Sequence, residues 1–334
     1  MAESPRTNTA GPYARAVGLA LGFAADRLFA DPARFHPVAG FGTAAIALQK
    51  RTYRDSRGAG VVHVAVLLGG SAALGVLVER SSRRRAATVL TTAVGTWAVL
   101  GGTSLARTGD AMAARLDSAT ADGGTLDSAR ALLPSLCGRD PSVLDGEGLT
   151  RAALESVAEN TSDAAVGALL WGAVAGIPGL FVYRAANTLD AMIGYRSEKY
   201  RNFGWAAARF DDLLNVLPAR LTGVITAACA PLVGGSTSES LGAWRRDAGA
   251  HPSPNAGVAE ASAAGALGVS LGGRTQYAHG VELRPVLGRG AAPGPDDLRR
   301  ASMLSVRVQV GAATVSAAVA VTIGHLRLRR RQRH

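Results

Sequence analysis

Five apolar runs of nearly bilayer length constrain this chain more than any other feature. Val61–Val78, Ala87–Ala106, Ala164–Tyr183, Leu221–Ser238 and Val308–Leu326 each carry 18 to 20 residues with no Asp, Glu, Lys or Arg. A helix needs about 20 such residues to cross a hydrocarbon core. The fourth run extends backward through Leu213–Pro218, across Arg220. Ala16–Ala25 is shorter and is expected to lie at the interface or pack on the bundle. In lipid every backbone polar group must be satisfied internally, which selects helices. No strand pattern of useful length and no repeat appears. Apolar residues make up 48% of the chain but aromatics only 5%, and Ala and Gly fill the difference. Small residues let helices approach closely in a membrane. The expected fold class is all-α: a polytopic helical membrane protein with four to five transmembrane or membrane-embedded helices and polar helical loops.

Charge follows the same division. The formal net charge is +11, and Arg80–Arg85 and Arg327–Arg333 each abut an apolar run. Loops flanking membrane spans carry such clusters. They explain the basic balance without nucleic acid, and no aromatic-basic RNA-binding motif accompanies them. Two cysteines, Cys137 and Cys229, give neither a disulfide framework nor a metal-ligand spacing. They read as small packing residues. After Arg6, Arg15 and a short apolar stretch come Asp26, Arg27 and Asp31 rather than a small-residue cleavage site, so this segment is expected to be retained. The expected organisation is a disordered stretch over 1–12, one helical membrane-embedded domain over 13–326 and a basic tail over 327–334. Such a chain is a multi-pass protein of the cell membrane.

Between the runs, residues 107–163 read as soluble helices, at 110–116, at 126–133 and from 148 onward. Residues 184–212 read as polar helix. Residues 239–302 read as a Gly/Pro-rich loop with one Ala-rich helix near 257–268. If Arg80–Arg85 and the tail share a face, four runs separate them. Segments 107–163 and 239–302 then fall opposite 184–212. A pocket drawing on all three requires that one run fails to span. Ala164–Tyr183, with Gly176, Pro178 and Gly179, is the run that reads as re-entrant or packed within protein.

Dense polar clusters border that same run. Glu155, Glu159 and Asp163 are spaced i, i+4, i+8, so a helix places them on one face. Three aligned carboxylates repel one another, and a hard cation such as Mg²⁺ relieves the repulsion. A solvated acidic face is the plain alternative. Beyond the run, Asn187 and Asp190 share a face, with Arg184, Arg196 and Lys199 nearby. That set suits a metal-bound phosphate, and a basic juxtamembrane segment is its plain reading. Lys50 and Lys199 are the only lysines. Asp211 and Asp212 precede the fourth run and suit a helix N-terminus. In His251-Pro-Ser-Pro-Asn255, two prolines fix the backbone and present His251 and Asn255 in a set geometry, with Glu260 on the helix that follows. Asp31-Pro32 and His36-Pro37 form a similar loop. The chain has no GxxxxGK[ST] phosphate loop, no GxGxxG after a strand and no GxSxG elbow.

These residues carry a resemblance. The segments ESVAENTSD (155–163), YRAANTLDAMIGYRSEKYRNFGWAAARFDDLLN (183–215) and HPSPNAG (251–257) are similar to the cobinamide-phosphate synthase family of cobalamin biosynthesis. Asp26, Asp31-Pro32, His36-Pro37-Val38, Gly138-Arg139-Asp140 and Ala264–Gly268 fit as well. The resemblance covers about 16–326. It departs at Ala168, where the family often has proline ahead of the tryptophan, and at Val258-Ala259, where it often has Trp-Pro. Neither change replaces an ionisable group. The resemblance implies ATP-dependent amide formation. A propionate carboxyl of adenosylcobyric acid is joined to (R)-1-aminopropan-2-ol or its O-phosphate.

The expected roles follow from that chemistry. Glu155, Glu159, Asp163 and Asp190 would hold Mg²⁺. Asn160 and Asn187 would orient phosphate or carboxyl groups, and Arg184, Arg196 and Lys199 would bind phosphate. His251 is the expected base with Asn255 positioning it, and His36 is the reserve. The expected co-substrate is ATP. The expected partners are the corrinoid acid, the amine, the bilayer and other cobalamin-assembly enzymes at the membrane. Two other readings stand beside this one: a non-catalytic membrane sensor or assembly subunit, and an intramembrane Mg-diphosphate prenyltransferase. The latter needs paired aspartate-rich motifs, which Asn187-Asp190 and Asp211-Asp212 fit poorly.

Overall fold

The computed structural model describes residues 12–30, 36–82, 84–121, 124–195, 197–277 and 280–332, and 81% of it is helical. The expected disorder at the N-terminus (except Pro12), Asp31-Pro32 and Arg196 lie outside the described residues. The elements are α1 (Ala14–Phe29), α2 (Pro37–Thr52), α3 (Arg57–Ser81), α4 (Arg85–Val99), α5 (Gly102–Ala121), α6 (Asp127–Leu132), α7 (Gly146–Thr161), α8 (Gly167–Leu189), α9 (Trp205–Cys229), α10 (Thr237–Asp247), α11 (Ala256–Leu267), β1 (Leu271–Tyr277), β2 (Gly280–Leu287) and α12 (Pro295–Gln332). Five stretches are long and apolar enough to cross a membrane: Arg57–Ser81, Arg85–Ala119, Gly146–Gly194, Trp205–Val233 and Pro295–Arg330. They contain four of the five runs singled out in the sequence, and the fourth run, Leu221–Ser238, as far as Val233, where the helix stops before Gly234 at φ +74°. Contacts group the chain into two compact units. Unit 1 comprises 1–100, 168–213 and 313–334, and unit 2 comprises 101–167 and 214–312.

In unit 1, α1 is too short to span and packs on α4 instead. Gly18 and Gly22 sit against Thr92 and Thr96 so closely that an added Cβ would lie 2.5 Å from either threonine Cβ. Close approach of this kind replaces the hydrophobic drive that helices lack in lipid. The apolar run at 164–183 does not form one straight span. Gly176 takes φ +73°, ψ −150°, a conformation that breaks α8, and Pro178 begins the return arm without needing an amide donor. Gly172 then packs against Leu180, and Gly179 against the Trp171 carbonyl, so the arms fold back on each other. Residues eight apart in a straight helix lie about 12 Å apart and cannot touch. Ala164–Tyr183 is therefore a helical hairpin.

Its tip is held by charge. Arg15 Nη2 donates to Glu79 Oε1 at 2.8 Å, and Arg15 Nη1 reaches the Ala173 carbonyl at 3.3 Å. That carbonyl belongs to the last turn of the first arm, where unsatisfied acceptors collect. The return arm runs along α3, from Pro178 at Gly75 to a core of Val64, Leu189, Ile193, Phe203, Ala45 and Ala207.

In unit 2, α7 packs against α5 and α11, and α11 packs against α10. Helix α10 falls where the sequence reads as loop. The Ala-rich helix appears at Ala256–Leu267, close to its expected place. The expectation of no strand is corrected: β1 and β2 pair antiparallel beside α7, α10 and α11. Gly272 and Gly273 at φ +81° and +76° and Pro285 in β2 erase the alternation that would have marked them.

Candidate functional site

Helix α7 turns Glu155 and Glu159 inward and leaves Glu147 exposed. Glu155 is only 2% exposed. Its Oε2 pairs with the Arg139 guanidinium, and Gly272 N donates to its Oε1 at 2.6 Å. Arg139 comes from the loop between α6 and α7. That loop is fixed at one end by Ser156 Oγ, which donates to the Leu136 carbonyl at 2.6 Å. At the other end Asp140 Oδ1 accepts from Ser142 N at 3.0 Å. The positive φ of Gly272 bends β1 so that its amide reaches the carboxylate. Two charge-assisted contacts thus satisfy a carboxylate that burial alone would make costly.

One turn later stands Glu159. It lines a cavity of about 240 Å³ whose other polar walls are Cys137, Arg139, Glu155, Ser156, Asn160, Glu260 and Arg284. Among the described residues the Glu159 carboxylate makes no hydrogen bond and no ion pair within 4.0 Å, and Arg284 and Arg139 act on it through their charge. Asn160 lies beside it, with its Nδ2 donating to the Ser156 carbonyl at 2.9 Å. Burial pushes the Cys137 thiol up, so it stays protonated and unreactive.

Behind the cavity lies the His251 loop. Ser253 Oγ accepts from Ala256 N at 3.2 Å and so caps α11. Asn255 is thereby released from capping, and its Oδ1 accepts from Arg220 Nη1 at 2.6 Å. His251 takes its orientation from Ser253: its Nδ1 lies 3.1 Å from the Ser253 carbonyl. Arg284 Nη1, from β2, sits 3.4 Å from His251 Nε2. A guanidinium only donates, so Nε2 faces Arg284 as an acceptor, while Nδ1 lies 3.1 Å from both the Ser253 amide, a donor, and the Ser253 carbonyl, an acceptor. Burial lowers the His251 pKa, and Arg284 lowers it further, so the ring is neutral near pH 7. Glu260 Oε1 is 3.7 Å from the same Nε2. Burial pushes the Glu260 carboxyl well up, and Glu155 and Glu159 push it the same way.

The expected site residues divide between the units. Glu155, Glu159, Asn160, Asp163, His251 and Asn255 belong to unit 2, whereas His36, Arg184, Asn187, Asp190 and Lys199 belong to unit 1. Of the carboxylates expected to share Mg²⁺, Glu155, Glu159 and Asp163 lie in unit 2 and Asp190 in unit 1. Glu155 is engaged by Arg139. The helix widens into a π-turn at Ser162–Val166, which breaks the i, i+4, i+8 register, and Asp163 is not among the cavity's lining residues. Among the described residues no three His, Cys, Asp or Glu side chains come together to hold a metal. In unit 1, His36 Nδ1 caps α2 by accepting from Val38 N at 3.2 Å. Arg184 Nη1 donates to Asn187 Oδ1 at 3.4 Å. The Asp190 carboxyl lies over Gly194 in a second π-turn. The Lys199 ammonium stands 5.0 Å from the Tyr200 ring centre and 5.7 Å from that of Tyr53.

Arg139 and Arg284 enter the site without an expected role, and Glu260, placed in the sequence on the helix after His251 and Asn255, lines the cavity. Glu260 carried a readable signal, since it is the only charge in the Ala-rich helix AGVAEASAAGAL. Arg284 carried none, because only strand pairing brings it to His251.

A family described as CobD/Cbib protein matches residues 19–305. The chain belongs to the CobD/CbiB family. A cobalamin biosynthesis protein CobD of Mycobacterium tuberculosis is 56% identical over 302 residues, covering 90% of this chain and 95% of the relative. One from Chromobacterium violaceum is 40% identical over 306 residues, with the same coverage of 90% and 95%. A third, from Geobacter metallireducens, is 40% identical over 276 residues, 79% of this chain and 83% of the relative. No solved structure matches. The family match includes every element that builds the unit 2 cavity, from α7 through β2.

Proposed function

We propose that this CobD/CbiB-family protein is an ATP-dependent amide synthase joining a propionate carboxyl of adenosylcobyric acid to 1-aminopropan-2-ol or its phosphate. The observation that supports the reading most is Glu159, whose carboxylate makes no hydrogen bond or ion pair among the described residues, in a cavity walled by two guanidiniums and backed by a neutral imidazole.

A carboxylate does not condense with an ammonium at neutral pH. One carboxyl oxygen must leave as part of a phosphate, and the nitrogen must lose protons. Activation by ATP forms an acyl phosphate with loss of ADP, or an acyl adenylate with loss of diphosphate. Attack by the free amine forms the C–N bond and expels phosphate or AMP. Arg139 and Arg284 are placed to stabilise the negative charge that develops on the leaving group and carboxyl oxygen. The neutral His251 ring, held by Ser253, is the proton acceptor. Glu159 attracts the incoming ammonium or a cation.

Among the described residues no group of three His, Cys, Asp or Glu side chains could hold a metal ion. However, Mg²⁺ commonly binds through one or two carboxylates together with substrate phosphates. Glu159 fits that role, and the ion would neutralise phosphate charge.

The test uses cobyric acid labelled with ¹⁸O in its carboxyl, aminopropanol phosphate, Mg-ATP and the purified protein. The expected result is cobinamide phosphate with one ¹⁸O in either inorganic phosphate or AMP, which also tells the two activated forms apart. Absence of amide product under saturating substrates would overturn the proposal and favour the sensor reading.

A further inference from the structure

Arg220 lies inside the candidate span Trp205–Val233. An ionisable side chain in such a segment is expensive and is usually kept for function. It is half-buried, and Asn255 holds its guanidinium at 2.6 Å. It also lines a second cavity of unit 2, about 370 Å³, together with Trp244, Arg245, Gly249, His251 and Pro254. Two guanidiniums face this space, and no Asp or Glu is among its described lining residues. His251 is a wall of this basic cavity, while Glu260 and Arg284, which reach its Nε2, wall the acidic one. Two cavities of opposite character therefore meet at one imidazole.

We propose that the basic cavity is a phosphate-binding site. Planar guanidinium forks match phosphate oxygens in pairs, and Asn255 pre-orients one of them. Amide synthesis would bring two carriers of that chemistry, an amino alcohol phosphate and a nucleoside triphosphate. The identity of the carrier rests on the proposed function, whereas the phosphate chemistry rests on the cavity itself. A phosphate bound there places its carrier within one imidazole ring of the acidic cavity.

Gly249 supplies a clean probe. A Cβ at this position meets no heavy atom within 4 Å. Gly249→Glu therefore adds a carboxylate beside the cavity without displacing backbone. Arg220→Gln removes one guanidinium and serves as a second variant. The full chain in lipid nanodiscs is titrated calorimetrically with aminopropanol phosphate, with ATP and with unphosphorylated aminopropanol.

The expected result is that at least one phosphate-bearing probe binds, that aminopropanol does not displace it, and that both variants weaken it about tenfold or more. Weakening confined to aminopropanol phosphate assigns the amine, and weakening confined to ATP assigns the nucleotide. A folded Gly249→Glu protein with unchanged affinity for both probes would overturn the proposal, as would a wild type that binds neither. Phosphate binding by a protein that makes no amide would leave this site standing and remove the amide-synthase reading.

Discussion

Glu159 and Lys199 are both ionisable residues near long apolar helices, and their surroundings treat them in opposite ways. Lys199 is satisfied: its ammonium lies against the Tyr53 and Tyr200 rings, and Tyr53 Oη donates to its carbonyl at 3.1 Å. Arg184, in the same unit, lines a groove of about 500 Å³ whose walls are otherwise mostly apolar. Unit 2 instead gathers Glu155, Glu159, Glu260, Arg139 and Arg284 around one small cavity, where, among the described residues, the Glu159 carboxylate makes no hydrogen bond and meets Arg284 and Arg139 only through their charge. A cation on aromatic rings gains free energy in place. A buried carboxylate without a hydrogen bond loses it. That difference is why the proposed function is built on unit 2.

The sharpest way to break this contrast is substitution at Glu159. Glu159→Gln should lower amide formation by about 100-fold or more, the scale of a lost electrostatic contact to a reacting group, while the protein still inserts in membranes. The companion Lys199→Gln should retain most of the turnover and lose only about 0.5–1 kcal/mol of stability. Equal loss of activity in both would erase the distinction drawn here.

Next in size is the Arg139–Glu155 pair. Arg139→Ala strands a buried carboxylate and should destabilise unit 2 by about 3–5 kcal/mol, whereas Arg139→Met with Glu155→Leu should recover most of it. Thermal unfolding in detergent reads both.

The hairpin in unit 1 gives a smaller effect. At Gly176, φ is +73°, and a Cβ would come within 2.7 Å of Arg15 Nη2 and Glu79 Oε2. Gly176→Ala should cost about 1–2 kcal/mol from the left-handed backbone alone. Unchanged melting would mean that the break is not required.

Acidity separates two groups that share one wall. His251 has its folded pKa below the reference 6.5. Its neutral form therefore contributes stability that is present above pH 6.5 and is lost as pH falls through the window beneath it. Glu260 has its folded pKa raised above the reference 4.5, so its contribution is full below 4.5 and is lost as pH rises through the folded value. Glu260→Gln should flatten the alkaline side of a melting-temperature profile and leave the acid side in place. A variant profile that parallels the wild type would remove Glu260 from the account.

Much of this was legible in the chain. Length and the absence of charge located the membrane-scale helices, and the pair Gly176 and Pro178 marked the run that turns back. The ENTSD and HPSPN segments pointed to Glu159 and His251 because short polar motifs beside apolar helices are hard to explain by solvation. The i, i+4, i+8 stripe misled at Asp163, since a π-turn is invisible to a count based on 3.6 residues per turn. Arg284 was hidden because a glycine-rich hairpin has no alternation to read and its contacts are long-range. Asn255 was read as supporting His251, yet its carbonyl oxygen serves Arg220. Loop partners depend on which hydroxyl caps the following helix, and here that is Ser253.

The central claim is tested most directly by single-turnover mixing of wild-type and Glu159→Gln protein with cobyric acid, aminopropanol phosphate and Mg-ATP, followed by mass spectrometry. The account predicts cobinamide phosphate from the wild type and a loss of about 100-fold in the variant. Equal product from both proteins would contradict it.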